Sequence, residues 1–411
     1  MACGKEDGEM NTKKPLRWEV IANIVLLCFA ISLFNLAGYI FAAVLLVTLV
    51  YNVGLIKIST PELTLMGFSL FYFVIYSFHF PITVEEIVLY LAGPWGAYLI
   101  GKQYVLRARS KNAMMTLIVI LAAGMCLHGL LNWVAMLRSE YMYTYAYLRI
   151  SVDFWRGDVV SVTATGMFFA FATGLAVGAI FSKTATKTKV VAVLTLAACL
   201  GATIFFANRT LLVIIVIMLV GYTAVMLLSA RTSAARKALL LSLLALGLVL
   251  LAMAFFFNWF GLADRIMSLK LFQRISGDEG GRLEQWLSFF KDNAFLRYSM
   301  GGDQIAKSAD ISYLHNLWLD IYNRAGAISF LLIIIFTVLM VKRYIIFRQR
   351  MLRCGLNMEC TCITALLVAT MLNCMVEPVI EANPYYFLIV LMFLGAMNGQ
   401  TQKLENKKLS V

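Results

Sequence analysis

Charged side chains are scarce in this sequence. Only 14% of the 411 residues are Asp, Glu, Lys or Arg, whereas 61% are hydrophobic and the mean hydropathy is +0.82. A water-soluble protein carries about 25% charged residues, so this chain has too little polar surface to cover folded domains in water. The composition excludes a soluble globular protein and indicates that the bilayer is the main solvent.

Proline is scarce as well, and the apolar runs do not alternate with polar residues as the strands of a membrane barrel would. Runs of about 20 apolar residues can cross a hydrocarbon core of about 30 Å as helices. The sequence therefore predicts an all-α polytopic membrane protein, one integral membrane domain over residues 1–411, with about twelve transmembrane helices. The predicted spans are 19–35, 37–54, 63–79, 86–101, 114–136, 160–181, 190–207, 210–229, 238–260, 316–341, 360–377 and 383–398.

Basic residues are distributed unevenly between the loops. A cytoplasmic N-terminus puts 23 of the 35 Lys and Arg residues in segments on the cytoplasmic side, as the positive-inside rule requires. Both termini are then cytoplasmic. The net charge of +13 reflects this topology and contact with anionic membrane lipids, and it gives no support to a nucleic-acid partner.

Histidines and clusters of metal ligands are also few. The chain has three histidines, and most of its eight cysteines lie in apolar runs. Cys360 and Cys362 form a CxC pair, but no second pair stands at zinc-finger spacing. We therefore expect no disulfide, no bound metal and no cofactor.

Two predicted outer segments are long enough to hold a functional site. Segment 137–159 combines tyrosines with Arg149, Trp155 and Arg156, a composition that suits stacking on sugar rings and equally suits anchoring at the membrane interface. The large outer loop, 261–314, has apolar residues at helical spacing after a glycine pair. That pattern predicts an amphipathic helix against the outer leaflet, with Arg282 at its start.

Four ionisable residues stand at predicted outer ends of spans. Arg209 occupies the tip of a helical hairpin, where a lone arginine ordinarily snorkels to lipid headgroups. His315 opens the span at 316, and a hydrogen-bonded interface residue is its ordinary interpretation. Asp320 and Arg324 lie four residues apart on one helix, and a salt bridge between them is the leading interpretation of both. Two arginines and a histidine that converge there would instead bind a phosphorylated, lipid-anchored substrate.

Three motifs occur in order on the predicted outer face, with a weaker fourth segment, LRISVDFWRGDVVSVTATG, at 148–166. They are ANRTLLVIIVIMLVG at 207–221, GGRLEQW at 280–286 and HNLWLDIYNRAGAISF at 315–330. In these motifs the chain resembles the O-antigen ligase and Wzy-type polysaccharide polymerase superfamily, over roughly 140–340. It departs from the family pattern in carrying Trp318 and Asp320 inside the HN motif and Arg324 before Gly326.

The resemblance implies a GT-C-like fold in the bacterial cytoplasmic membrane, with the active site on the outer face. It implies that Arg209 and Arg282 contact the pyrophosphate of an undecaprenyl pyrophosphate-linked oligosaccharide, and that His315 acts near the acceptor hydroxyl as base or as orienting partner. The residues expected to contact substrate are Arg149, Trp155, Arg156, Asn316, Asp320 and Arg324. A chain-length regulator or a flippase is an expected protein partner.

Several activities fit this sequence. The reaction that we expect is polymerisation of lipid-linked repeat units by inverting, metal-independent glycosyl transfer, because the motifs hold no matched carboxylate pair for a covalent intermediate and no Asp-rich cluster. The alternatives are a ligase that transfers the glycan to lipid A core, a transferase to protein, a transporter or flippase of lipid-linked sugars, and a membrane assembly factor.

Overall fold

The computed structural model of this protein describes residues 17–54, 56–141, 150–228 and 282–409, with the isolated residues 234, 238, 242 and 253. Arg149, residues 261–281 and all of the predicted span 238–260 except residues 238, 242 and 253 lie outside the described residues.

The described chain is almost entirely helical. A 3₁₀ turn at Leu33–Asn35, a π-helical turn at Ile87–Ala92 and a second 3₁₀ turn at Lys291–Asn293 interrupt the α-helices. The helices are α1 (Arg17–Ala30), α2 (Ala37–Tyr51), α3 (Thr60–His79), α4 (Val84–Glu86), α5 (Gly93–Arg107), α6 (Ala113–Arg138), α7 (Val162–Phe181), α8 (Thr186–Phe205), α9 (Arg209–Leu228), α10 (Arg282–Ser288), α11 (Ala294–Arg297), α12 (Gln304–Ser308), α13 (Leu317–Arg353), α14 (Asn357–Val376), α15 (Val379–Ala382) and α16 (Pro384–Leu409).

Seven of the described helices are long and apolar enough to cross a membrane, namely α3, α6, α7, α8, α9, α13 and α14. The chain is therefore a polytopic helical membrane protein. The predicted spans 19–35, 37–54, 86–101 and 383–398 also form helices, but these are shorter or less apolar than the seven. The count of twelve spans stays a prediction.

A short β-hairpin that the sequence did not predict begins in the segment 137–159 and ends just after it. Here β1 (Ile150–Val152) pairs antiparallel with β2 (Val159–Ser161), with Ile150 opposite Ser161. β-branched residues on both arms favour extended backbone, and Gly157 supplies the positive φ of 72° that the connecting turn needs. We call 150–161 the hairpin.

Two central helices, α5 and α16, pack backbone to backbone. An ideal Cβ on Gly101 would lie 1.9 Å from the Met392 oxygen, and one on Gly395 would lie 1.9 Å from the Tyr98 oxygen. Only glycine permits this approach, which in membranes replaces the hydrophobic effect as a source of helix association.

The loops sort into two ends of the helix bundle. At one end, the side chain of Lys403 donates to the Ala108 oxygen at 2.6 Å, and Glu19 accepts from the Arg109 amide at 2.7 Å. These segments are predicted to share the cytoplasmic face. At the other end, the loops that are predicted to be outside contact one another, as described below. Their described residues are 31–36, 79–86, 139–141, 150–161, 206–208, 299–316 and 377–383. We call this second end the site end; its exposure to the outside of the cell stays a prediction.

Candidate active site at one end of the bundle

The loop that carries His315 is fixed by the carboxylate of Asp320. That side chain is only 2% exposed and accepts hydrogen bonds from the Leu314 amide at 2.7 Å and the Asn316 amide at 2.9 Å. The two bonds close a tight turn in which His315 adopts a left-handed φ of 54°. A non-glycine residue holds this conformation only where its surroundings impose it, and here the Asp320 carboxylate does so.

Asn316 ends the same loop and begins α13. Its side-chain oxygen accepts from the amides of Trp318 and Leu319, each at 3.2 Å, and thereby caps the helix. Its side-chain nitrogen donates to the Met375 oxygen at 3.1 Å, near the end of α14. The HN motif therefore ties the start of one long helix to the end of the next.

The imidazole of His315 faces a carboxylate from this neighbouring segment. His315 Nδ1 lies 3.7 Å from Glu377 Oε2, and the Glu377 side chain is 3% exposed against 18% for His315. Tyr313 packs edge-on against the imidazole, with 6.0 Å between ring centroids. At this distance the contact is electrostatic, and a carboxylate beside a histidine favours the protonated imidazolium form.

The predicted salt bridge between Asp320 and Arg324 is wrong. Within the described chain Arg324 instead forms an ion pair with Asp303 of the large loop. Its guanidinium lies 4.1 Å from the ring centroid of Phe80 and 5.2 Å from that of Tyr76, both at the end of α3. An acidic residue in the first turn of a helix is well placed to accept from free amides, and Asp320 does this.

A kink in α13 explains how the large loop reaches Arg324. Gly326 has φ 75° and ψ −177°, which interrupts the helical hydrogen bonds. The loop supplies replacement partners: the Ala327 amide donates to the Ser299 oxygen at 2.9 Å, and the Gly302 amide donates to the Arg324 oxygen at 3.1 Å. The loop segment 299–306 is thus docked onto the kink by its backbone.

Glycines and an asparagine complete this docking. The side-chain oxygen of Asn323 accepts from the amides of Ile305 and Ala306, each at 3.1 Å. A Cβ on Gly301 would lie 2.7 Å from the Arg324 oxygen, and one on Gly302 would lie 2.8 Å from His79. Close backbone approach therefore accounts for this glycine pair.

Arg209 belongs to the same end of the bundle. It begins α9 next to the buried Asn208, whose side-chain nitrogen donates to the Val162 oxygen at 3.1 Å. Asn383, from the segment that contains Glu377, donates to the Ala164 oxygen on the same turn of α7 at 3.4 Å. The first turn of α7 thus links the start of α9 with the segment beside His315.

Trp155 and Arg156 lie at the turn of the hairpin and attach it to the first helical connection. The indole nitrogen of Trp155 donates to the Ile31 oxygen at 3.0 Å, and Arg156 donates to the side-chain oxygen of Asn35. Arg156 also lies 4.0 Å from Glu85, with 40% of its side chain exposed. Of the two residues, Arg156 is the one that presents charge at the surface of the site end.

His128 of α6 also holds the hairpin in place. Its Nε2 lies 3.1 Å from Asp153 Oδ2, and Asp153 Oδ1 accepts from the amides of Trp155 and Arg156. Although burial alone would raise it, the hydrogen bonds from His128 and the two amides hold the pKa of Asp153 below its ordinary value.

Two predicted site residues cannot be placed against this geometry. Arg149 lies outside the described residues, and of Arg282 the structure describes the backbone position at the start of α10 but not the side chain. The predicted helix after the glycine pair is therefore present over Arg282–Ser288, and its contact with the leaflet stays a prediction.

No known family and no curated protein matches this chain. The resemblance named above therefore rests on the three motifs alone, and the site must be interpreted from its own contacts.

Sequence reasoning missed the carboxylates that surround these residues. Glu377 and Glu381 stand between two apolar runs in EPVIEANP, bounded by two prolines. Two acids in so short a connection were the available signal. No sequence signal marked Asp303, because its partner Arg324 lies twenty-one positions along the chain.

Proposed function

We propose that this protein is a glycosyltransferase that polymerises undecaprenyl pyrophosphate-linked oligosaccharide repeat units at the outer face of the cytoplasmic membrane. The observation that supports this most is the pair formed by His315 and the buried Glu377, in a loop fixed by Asp320. A histidine held this way beside a membrane-embedded bundle suits a base that acts on a hydroxyl of a lipid-anchored acceptor.

In the proposed reaction the acceptor hydroxyl oxygen attacks the anomeric carbon of the donor sugar. The bond from that carbon to the pyrophosphate oxygen breaks with its electron pair, and the hydroxyl proton passes to His315. A single displacement of this kind inverts the anomeric centre. Glu377 stabilises the imidazolium that results, as the carboxylate does in other histidine bases.

Arginines at the site end would stabilise the leaving group, on which negative charge grows as the bond breaks. We propose that Arg209 and Arg282 contact the pyrophosphate, and that Arg156 meets the donor at the rim. Fixed donors aimed at developing charge typically contribute about 2.7–4 kcal/mol each.

The contacts suggest positioning roles for three residues that the sequence assigned to substrate. Asn316 and Asp320 use their side chains to hold the His315 loop, and Arg324 is engaged by Asp303. We propose that these residues act through the loops that they hold rather than by touching sugar.

Reconstitution tests the proposal. Purified protein in liposomes is given an undecaprenyl pyrophosphate oligosaccharide from the same cell, and the products are separated on a gel beside Arg282→Ala and a surface control, Arg297→Ala. A ladder of repeat-unit lengths that is lost only in Arg282→Ala supports polymerisation.

If no ladder forms, lipid A core is added to the same liposomes. A single new product then identifies a ligase. Movement of labelled substrate across the liposome membrane without any new glycosidic bond identifies a transporter, and both results contradict the polymerase.

A further inference from the structure

The carboxylate of Glu381 is buried at the site end, and no other residue in the described part of the chain donates a hydrogen bond to it. It lies on α15, the short helix between α14 and α16. Both of its oxygens are inaccessible to solvent and accept no hydrogen bond from any other described residue. An ionised carboxylate is costly in such a place, because neither water nor a donor replaces its hydration, whereas a neutral carboxylic acid is tolerated.

Arg324 is the cation whose field acts most strongly on this carboxyl. Its ion pair, however, is made with Asp303, and its Nε is buried without a hydrogen-bond partner among the described residues. The hydroxyl of Tyr72, which also feels the Glu381 charge, is likewise buried without an acceptor there. Within the described chain, two donor groups and one acceptor group that interact electrostatically are therefore buried without hydrogen-bond partners.

We propose that Glu381 is a proton-binding site, and that its protonation decides which carboxylate holds Arg324. When Glu381 carries the proton, Arg324 pairs with Asp303, as in this structure. When the proton leaves to water, the Glu381 anion competes for the guanidinium, which remains charged throughout.

The exchange of partners would act on the docking of the large loop. Asp303 is the residue at which the loop segment 299–306 joins α13: its side chain pairs with Arg324 and its amide donates to the Asn323 oxygen at 2.8 Å. Losing the ion pair removes the charged contact of this segment with α13, while its backbone bonds at the kink and its bonds with the Asn323 side chain remain. Deprotonation therefore loosens the loop, and protonation fastens it.

Titration of this site falls in a physiological range. Burial raises the pKa of Glu381 to about 7, although Arg324 opposes the change. The packed helix α7 brings no ionisable side chain, and α16 brings Tyr385 and Tyr386. The helix α13 brings Asp320, Tyr322 and Arg324. Among the described residues, Tyr72, Tyr90, Asp303 and Tyr313 also interact electrostatically with Glu381.

Infrared spectroscopy of the full chain in lipid nanodiscs tests whether the proton is there. The difference spectrum between wild type and Glu381→Gln should contain the carbonyl stretch of a neutral carboxylic acid at about pH 6, and this band should be lost at about pH 8. An ionised carboxylate band at both values overturns the proposal, and so does an acid band that persists unchanged at both.

Hydrogen exchange of the amides in 299–306 tests the consequence. After correction for intrinsic exchange rates, protection in wild type should fall about tenfold between about pH 6 and pH 8, as the ionised fraction of a group of pKa about 7 rises. Glu381→Gln should keep the higher protection at both values, and Asp303→Asn should show the lower protection of the pH 8 state at both, because the remaining bonds at the kink hold the segment less firmly. The surface variant Glu284→Gln should behave as wild type.

Equal pH dependence in wild type and Glu381→Gln would overturn the proposed switch. So would full protection in Asp303→Asn, because the ion pair would then contribute nothing to docking. None of these readouts depends on glycosyl transfer, so the switch and the proposed function can fail separately.

Discussion

Replacement of Asp320 by alanine should destabilise the protein through two backbone amides. The Asp320 carboxylate accepts from Leu314, which is fully buried, and from Asn316, which is partly exposed. A buried amide left without a partner costs about 1–3 kcal/mol, and a partly hydrated one costs less. We therefore expect the free energy of unfolding to fall by about 2–4 kcal/mol.

The assay is a denaturant titration in mixed micelles, compared with Glu284→Ala as an exposed acidic control. Asp320→Asn should be intermediate, because an amide keeps one acceptor oxygen for one of the two donors. His315 loses its imposed conformation in both variants, so the transfer activity should fall by a larger factor than the loss of folded protein explains. If Asp320→Ala unfolds within about 0.5 kcal/mol of wild type, the carboxylate does not hold the loop.

Three further perturbations follow from the contacts. Gly326→Ala places a Cβ 2.5 Å from the Ser299 oxygen at a φ of 75°. It should lower the melting temperature clearly more than Gly355→Ala, where φ is 73° but no atom lies within 4 Å of the new Cβ. Equal losses of melting temperature would show that the loop moves to accommodate the methyl group. Lys102→Ala leaves Glu62 buried without its partner and should cost about 3–5 kcal/mol, measured by denaturation, while the double variant with Glu62→Gln should recover part of it. The pKa of Glu381 is raised to about 7 in the folded protein, so its contribution to stability is complete below the ordinary carboxyl pKa of about 4.3 and is lost as pH rises through about 7. The melting temperature should therefore fall over that pH window in wild type and change less in Glu381→Gln. Parallel curves of melting temperature against pH would refute this.

Local patterns predicted most of the helices and the start of α13 to within one residue, because an apolar run is visible over a few neighbouring residues. Local patterns did not predict the partners of charged side chains. Spacing of four residues suggested that Asp320 and Arg324 pair, but Asp320 turns back to the free amides before its helix and Arg324 meets Asp303 across the kink. Such choices depend on tertiary packing, which spacing does not report.

The hairpin illustrates the same limit at the level of secondary structure. Its arms are three residues each, so the alternation that indicates a strand is too short to see in the sequence. What holds it is remote: His128 from the middle of α6 and the oxygen of Ile31. The sequence marked Trp155 and Arg156 as notable, and their attachment to the first helical connection emerged only from the structure.

Our main proposal is that His315, which lies beside the Glu377 carboxylate, is the base for glycosyl transfer. Its most direct test is the release of free undecaprenyl pyrophosphate, measured by mass spectrometry in proteoliposomes that contain donor and acceptor. Wild type should release one molecule for each new glycosidic bond, His315→Ala should release almost none, and Glu377→Gln should retain partial release with an altered pH profile. Release that is unchanged in His315→Ala, in protein that folds as wild type does, would contradict the account.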